Sequence, residues 1–564
     1  MKALVPGHPF GARTSPRAAR WTAGGLLALS LSSPAAPREV VFSVLLPEAD
    51  RVYLTGSFND DQLSDDALMS QDRGLWRKTL SLENGTYRYA FKAEGEQVAG
   101  EGWILDWKSS RVSRHKGADF RSVLVVPDDL DAFQARQRGA TETEAGIEIP
   151  LFYESYPDKN AAYRFGGYSQ LELAASPPPG GWTLPALTGA QPLFALVQLG
   201  DSKFLAAFDR KSADDPFYGR VHFDRNGNGD LTDEEPLPGK TRVYSQGEYF
   251  DCSFPPVDVE IDVGGHGLPY RFALRLGGSA PSLEDGSDLL TAVHGMLLPL
   301  CAYLGEFSLD GAGYRLALCD STADGFTGDP AKAADASSPR SDRRRIEQGD
   351  TFYLSPAARA GSSDGMRFGR HLSLGDRLFS VRADVPGGRM VLEPRSQGVG
   401  ALELPAPLRA LTMGSDSDGE TLMVAFAGER AAVPAGSWRL LDYQLRKKDD
   451  WGDEWLLQAR GVEGMPPVTV PQGGSARLTA GEPLQAVVEI NDRALERAAA
   501  AGSLRMSLAL LGNAKERITD LRRISGTNTQ HKMAKRDPNR PEEAAYRILA
   551  PDGERIASGS FEYG

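Results

Sequence analysis

The sequence predicts an all-β, multi-domain protein, and three observations carry that expectation. Stretches that alternate apolar and polar residues recur along the chain, as in VVFSVLLP (40–47), VHFDRN (221–226) and YRFALRL (270–276), and a period of two marks a half-buried strand. The 61 glycines and 37 prolines supply many turns and interrupt any long helical pattern. At 564 residues the chain can bury about three or four separate cores.

Residues 1–36 hold Lys2, Arg13, Arg17 and Arg20 and no acid, with an apolar stretch from Trp21 to Leu31 and then Ser33-Pro34-Ala35-Ala36. A basic leader, an apolar core too short to span a bilayer and a small-residue cleavage site read together as a signal peptide. The mature chain is therefore expected to be exported: periplasmic, on the cell surface or extracellular. Strands follow at 40–47, 52–58, 75–82 and 86–93. Asn84-Gly85 separates the last two and accepts the positive φ of a tight turn, which predicts an antiparallel hairpin there. GWILDWKSS (102–110) and FRSVLVV (120–126) complete the segment.

This segment resembles the glycogen-binding domain of the AMP-activated protein kinase β subunit and, more widely, the family 48 carbohydrate-binding modules. The likeness covers about 39–126 and rests on Gly56-Ser57-Phe58-Asn59, Trp76, Gly85, Tyr87/Tyr89/Phe91, Trp103 with Asp106, and Ser122-Val123-Leu124-Val125. It implies an N-terminal immunoglobulin-like (early-set) β-sandwich over 38–127 that recognises an α-glucan or related polysaccharide. Of the family's sugar contacts, Trp103 stands in place, whereas Asp61 replaces the other tryptophan, Ala90 a lysine and Arg121 an asparagine. Lys92 shares a strand face with position 90, and Trp107 adds a nearby indole. The expected carbohydrate-binding residues are thus Trp103, Trp107, Lys92 and Arg121. An indole covers the apolar face of a pyranose while polar neighbours bond its hydroxyls.

Beyond the module, DDLDAFQARQRG (128–139) predicts a short helix within a linker over 128–182 that ends in the rigid SPPPGGW (176–182). Strand patterns resume as a β-rich domain with acidic loops over 183–355, a further β-rich domain over 356–467 and an immunoglobulin-like sandwich over 468–564. Pro551-Asp552-Gly553 reads as the turn between the last two strands.

Formal charge is −13, and loss of the leader's four basic residues takes it to −17. So acidic a chain repels the phosphates of nucleic acid and suits cations. Arg343-Arg344-Arg345 lies in a Ser/Ala/Asp-rich stretch and reads as a solvated loop. No segment reaches about 18 uninterrupted apolar residues, so no membrane span is expected. Of three cysteines, Cys301 and Cys319 stand near strand ends across a hairpin turning at Asp310-Gly311, where an exported protein can form a bridge, and Cys252 is left single.

VHFDRNGNGDLTDEE (221–235) is the most specific chemical motif. With Asp224 as position 1, oxygens fall on Asn226 at 3, Asn228 at 5, the Asp230 carbonyl at 7 and Glu235 at 12, and Gly229 at 6 makes the sharp turn. This spacing wraps a loop around one Ca²⁺, which takes about six to eight hard oxygens, and it resembles EF-hand and dockerin-type calcium loops. Pro236 follows Glu235 directly, so Asp233 and Glu234 are alternative last ligands. LALCDSTADGFTGDP (316–330) repeats the arrangement, with Asp320 on Asp224, Asp324 on Asn228, Gly325 on Gly229 and Asp329 on Asp233. Structural calcium is expected in both loops. Asp416-Ser417-Asp418-Gly419 reads as a hairpin turn.

Family 48 modules often precede a glycoside hydrolase barrel, but a (β/α)8 barrel needs alternating helices, and strands follow strands through 183–564. Gly361-Ser362-Ser363-Asp364-Gly365 has nucleophile-elbow spacing without the strand and helix that give it meaning. The seven histidines are scattered, with no metal-ligand spacing. The expected function is exported, non-catalytic carbohydrate binding with calcium-stabilised loops. The alternatives are a structural or adhesion protein that uses the sandwich for protein contact, and a polysaccharide-active enzyme whose site the sequence does not display.

Overall fold

The computed structural model describes residues 36–95, 103–109, 112–114, 120–156, 167–189, 191–212, 215, 217–244, 249–279, 293–331, 349–357, 364–405, 408–462, 464–490, 506–526, 533–534 and 539–561. The expected signal peptide up to Ala35, Arg343-Arg344-Arg345 and Gly361-Ser362-Ser363 lie outside the described residues. Among the described residues the protein is all-β and multi-domain, with several sheets and a single α-helix, Leu130–Arg136. No described helix is long and apolar enough to cross a membrane.

In the first sandwich, Arg38–Leu45, Leu75–Leu82 and Ser70–Asp72 form one sheet; Arg51–Gly56, Gly85–Glu94, Phe120–Val126, Val112–Arg114 and Trp103–Ile104 form the other. Alternation buries one face of each. Val40, Phe42 and Trp76 meet Leu54, Tyr89, Phe91 and Leu124, and Leu130 and Phe133 of the helix complete the cluster. The hairpin expected at Asn84-Gly85 does not form. Leu75–Leu82 pairs with Arg38–Leu45, whereas Gly85–Glu94 pairs with Arg51–Gly56 and Phe120–Val126. Neither turn residue takes a positive φ; the dipeptide carries the chain between sheets, so that Leu82 and Tyr89 enter one core from opposite sides.

A four-stranded sheet (Leu193–Leu199, Ser202–Arg210, Tyr218–Phe223, Leu237–Pro238) and a six-stranded sheet built on His266–Ser279 share a core of Phe204, Phe208, Phe223, Phe250 and Phe272. A five-stranded sheet containing Cys301–Leu309 and Ala312–Cys319 packs on a thirteen-stranded sheet through Phe307, Leu318, Phe352, Phe379 and Leu392. Asp310 and Gly311 have φ of 50° and 79° and make the expected tight turn. Gly553, at 88°, does the same between Ala545–Leu549 and Arg555–Ser560.

Residues 128–182 are more than a linker. Besides the helix, Gly146–Pro150 pairs with Arg389–Pro394, Phe152–Ser155 with Cys301–Leu309, and Ser169–Leu171 with Val293–Pro299. These strands are too short for alternation to reveal them. Packing also crosses the expected divisions: Phe352 and Phe379 share a core across 355/356, and Glu454–Arg460 pairs with Arg517–Ser525 across 467/468. Cys301 and Cys319 are not bridged. All three cysteines are buried free thiols, with Cys301 set against Ser155 and Cys319 against Thr351.

A buried ion pair fixes the first sandwich to the five-stranded sheet. Lys108 Nζ donates to Glu306 Oε1 at 2.8 Å and to Ser43 Oγ at 2.9 Å, and the charged side chains are 0% and 3% exposed. Trp107 Nε1 donates to the second Glu306 oxygen at 3.2 Å, beneath the Arg315 guanidinium at 4.6 Å. On the sandwich side, Gln137 accepts the Ser43 N–H at 2.8 Å and donates to Asp106 at 3.0 Å, where the Tyr89 hydroxyl also donates at 2.8 Å. Removing one partner of a dry ion pair strands the other charge, whereas replacing both with apolar groups does not. Lys108→Met is therefore expected to lower the unfolding free energy by about 3–5 kcal/mol, and Lys108→Met combined with Glu306→Leu by less than the sum of the two single losses, with part of the loss kept because Arg315 faces Glu306 across the hairpin, as read from chemical denaturation. A loss in the double variant equal to that sum would show that the charges do not depend on each other.

Candidate functional site

Chemistry-bearing side chains gather at the rim of the first sandwich and at the ends of two central strands. At the rim, Trp103 pairs in register with Lys92, and antiparallel partners share a face. Lys92 Nζ accordingly sits 5.2 Å from the indole centroid, and the Arg121 guanidinium 4.9 Å from it. The Arg121 side chain is 6% exposed, Trp103 39%. Arg121 thus lies beneath the indole, a cation–π contact that holds the ring with an open side to solvent. Asp61, standing where a second platform was sought, reaches Arg121 Nε at 3.8 Å. Ala90 lies on the Lys92 face of its strand, opposite the core residues Tyr89 and Phe91, and is itself covered at 1% exposure. Trp107 is absent from this patch: it packs at 5.6 Å on Phe152 in the joint with the five-stranded sheet, its N–H taken by Glu306. Its place directly before a fully buried lysine carried no sign of that joint in sequence. Trp103, Lys92 and Arg121 are therefore brought together, and Trp107 is not.

The strand Tyr218–Phe223 ends in the buried Asp224, whose carboxylate accepts the Asn228 and Gly229 N–H groups, each at 3.1 Å. Gly227 and Gly229 take φ of 71° and 80°, a bend that favours glycine and lets the loop close. Asn226 Oδ1 accepts the Asn228 N–H at 2.9 Å, Asn228 Oδ1 accepts the Asp230 N–H at 2.7 Å, and both side-chain amides donate to Asp233 Oδ2. The Asp230 carboxylate turns to Thr232. Glu235 is exposed, while Glu234 turns inward and accepts the N–H groups of Arg225 and Asn226 at 2.7 to 3.1 Å. The inward carboxylate stands at position 11 instead of the expected 12, since a strand, Leu237–Pro238, follows in place of a helix. Thr183 pins the loop by bonding Gly229 O and Leu231 N–H. The donors are all hard oxygens, which suits calcium. Among the described residues no three carboxylates, imidazoles or thiols converge to hold a metal by themselves. An ion here would need the Asn226 and Asn228 amide oxygens and backbone carbonyls as well.

Ala312–Cys319 ends in a twin of that loop. Asp320 accepts the N–H groups of Ala323, Asp324 and Gly325 at 2.6, 3.3 and 2.7 Å, and the hydroxyls of Thr322 and Tyr270 at 3.0 and 2.7 Å. Gly325 has φ of 86°, matching Gly229. Asp350, wholly buried, accepts the N–H groups of Ser321, Gly328 and Asp329 at 2.9, 2.6 and 3.0 Å, the part that Glu234 plays in the first loop. The carboxylates of Asp320 and Asp350 are thus filled by the loop's own donors and the Tyr270 hydroxyl, and Asp324 accepts the Phe326 N–H at 3.1 Å. Sequence reasoning missed Asp350 because it enters from far along the chain, where no spacing rule reaches. No family model matches the chain, and no curated protein matches it.

Burial, with Asp324 alongside, pushes the Asp320 carboxyl up to about 6; burial, with Asp320 and Asp324 nearby, also pushes Asp350 well above the usual carboxylate range. The unfolded value is about 3.9, so the folded protein retains a proton that the unfolded chain releases. This contribution is present below about pH 4 and is lost as pH rises to about 6. Asp320→Asn, in chelated buffer, is expected to gain stability relative to wild type between about pH 4.5 and 7, measured as the urea midpoint at each pH. A wild-type-to-variant difference that is the same at both would contradict this.

Proposed function

We propose that this is an exported carbohydrate-binding protein whose N-terminal module presents Trp103 to an α-glucan or related polysaccharide, with calcium stiffening the loop at 224–235. The observation that carries the reading is the Trp103 indole, 39% exposed and seated on Arg121 with Lys92 beside it. A pyranose laid on that ring would bury two apolar faces, and Lys92 stands where it can donate to a hydroxyl. One platform instead of two makes each contact weak, so retention relies on a repeating polymer. A second reading has its own support: Trp107 and Lys108 tie the sandwich to the five-stranded sheet, as a structural or protein-contact module would require.

Affinity electrophoresis in glycogen separates the two. Trp103→Ala is expected to weaken retardation about tenfold, equivalent to about 1.4 kcal/mol, while equal mobility of variant and wild type would favour the structural reading. For the loop, calcium added to chelated protein is expected to raise the unfolding midpoint, by about 2.7 kcal/mol at a free concentration of 100 times Kd. Glu234→Gln should shrink that gain, and a midpoint indifferent to calcium would remove the ion from the account.

A further inference from the structure

The outer face of the six-stranded sheet carries a second platform, on a different sheet from Trp103. Its edge strand Lys240–Tyr244 pairs with Tyr249–Ser253, which pairs in turn with His266–Ser279. Register and alternation place Lys240, Arg242 and Tyr244 on one face with Ser253, Asp251 and Tyr249, and with Arg275 beyond them. The opposite face, with Phe250, Cys252, Leu274 and Leu276, is sealed in the core.

Several features of the open face point to a ligand. Tyr244 and Tyr249 stand directly opposite each other, 49% and 54% exposed, and among the described residues neither ring nor hydroxyl has a partner. Arg275 grips Asp251 through both Nε and Nη2, the latter at 2.6 Å, which makes a rigid planar pair. Lys240 and Arg242 are exposed and have no acidic partner among the described residues. A cavity of about 340 Å³ opens between Lys240, Ser253, Arg275 and the apolar walls of Pro238, Phe254 and Leu298, a size that suits a small ligand. Four residues of strand span about 13 Å from Lys240 to Tyr244, room for a short run of sugar rings.

We propose that this face binds an anionic polysaccharide, its rings stacked on Tyr244 and Tyr249 and its carboxylates met by Arg242 and Lys240. With Arg275 neutralised by Asp251, Lys240 and Arg242 leave the edge of this face locally positive, although Asp258, Glu260 and Asp262 lie further along the same face, and that local complementarity selects an acidic polymer over a neutral one. Two unpaired cations on an edge strand repel the same strand of a second copy, which argues against a dimer contact. A single-stranded nucleic acid would also use rings and cations, and its binding to these residues is an outcome of the test.

The test is calorimetry and affinity electrophoresis of the full chain with polygalacturonate, with glycogen as a second probe. Polygalacturonate is expected to bind wild type; Tyr244→Ala with Tyr249→Ala should weaken it about tenfold, and Arg242→Gln about threefold with a shallower salt dependence. Trp103→Ala should leave polygalacturonate binding unchanged, and the tyrosine pair variant should leave glycogen retardation unchanged, so that failure of one site is distinguishable from failure of the other. The proposal is overturned if wild type does not bind polygalacturonate, if both the tyrosine and Arg242→Gln variants bind it as wild type does, or if an oligonucleotide displaces it from these residues. All the substituted side chains are exposed, and unchanged thermal midpoints confirm that each variant is folded.

Discussion

The Lys108–Glu306 pair is the constraint on which the arrangement of this molecule depends. A lysine and a glutamate removed this completely from water are tolerable only when they meet, and when Ser43 and Trp107 satisfy what remains of their hydrogen-bonding capacity. The pair therefore requires the sandwich and the five-stranded sheet to be folded and docked together. It also sorts the two nearby indoles. Trp107 is drawn inward to cover Glu306, and Trp103, four residues earlier, is left facing out.

Elsewhere the same tendency to merge recurs. Strands from 146 to 171 enter three different sheets, and the cores do not end where composition suggests a boundary. The twin acidic loops show how one backbone design serves two ends. In each, an aspartate at a strand end gathers the N–H groups of the fourth and fifth residues beyond it, and a glycine at positive φ makes the return. The first loop keeps its amides and Asp233 at the surface, while the second is packed against Tyr270 and Asp350 and closes on itself.

What could be read from the sequence was what local chemistry determines. Alternation located the strands of the sandwich core, Asp310-Gly311 and Pro551-Asp552-Gly553 named their turns, and oxygen spacing related the loop at Asp224 to that at Asp320. What could not be read depends on which strands become neighbours. Asn84-Gly85 has the composition of a hairpin but serves as a crossing, because the two flanking strands bury their apolar faces from opposite sheets. Cys301 and Cys319 flank one hairpin, yet each faces a different third strand. Glu234 displaces Glu235 through the direction of the chain after the loop, and the Tyr244–Tyr249 pair becomes visible only once register sets them side by side.

The three sulfurs have a consequence of their own. Cys252, Cys301 and Cys319 are enclosed, and burial raises each thiol, Cys301 to about 12. Attack on a disulfide or peroxide requires the thiolate, which is scarce here at neutral pH and walled off from reagents. An odd complement of cysteines, ordinarily an invitation to cross-linking, is thus inert for as long as the chain stays native. The exposure of these three thiols to oxidants is confined to the interval before folding is complete.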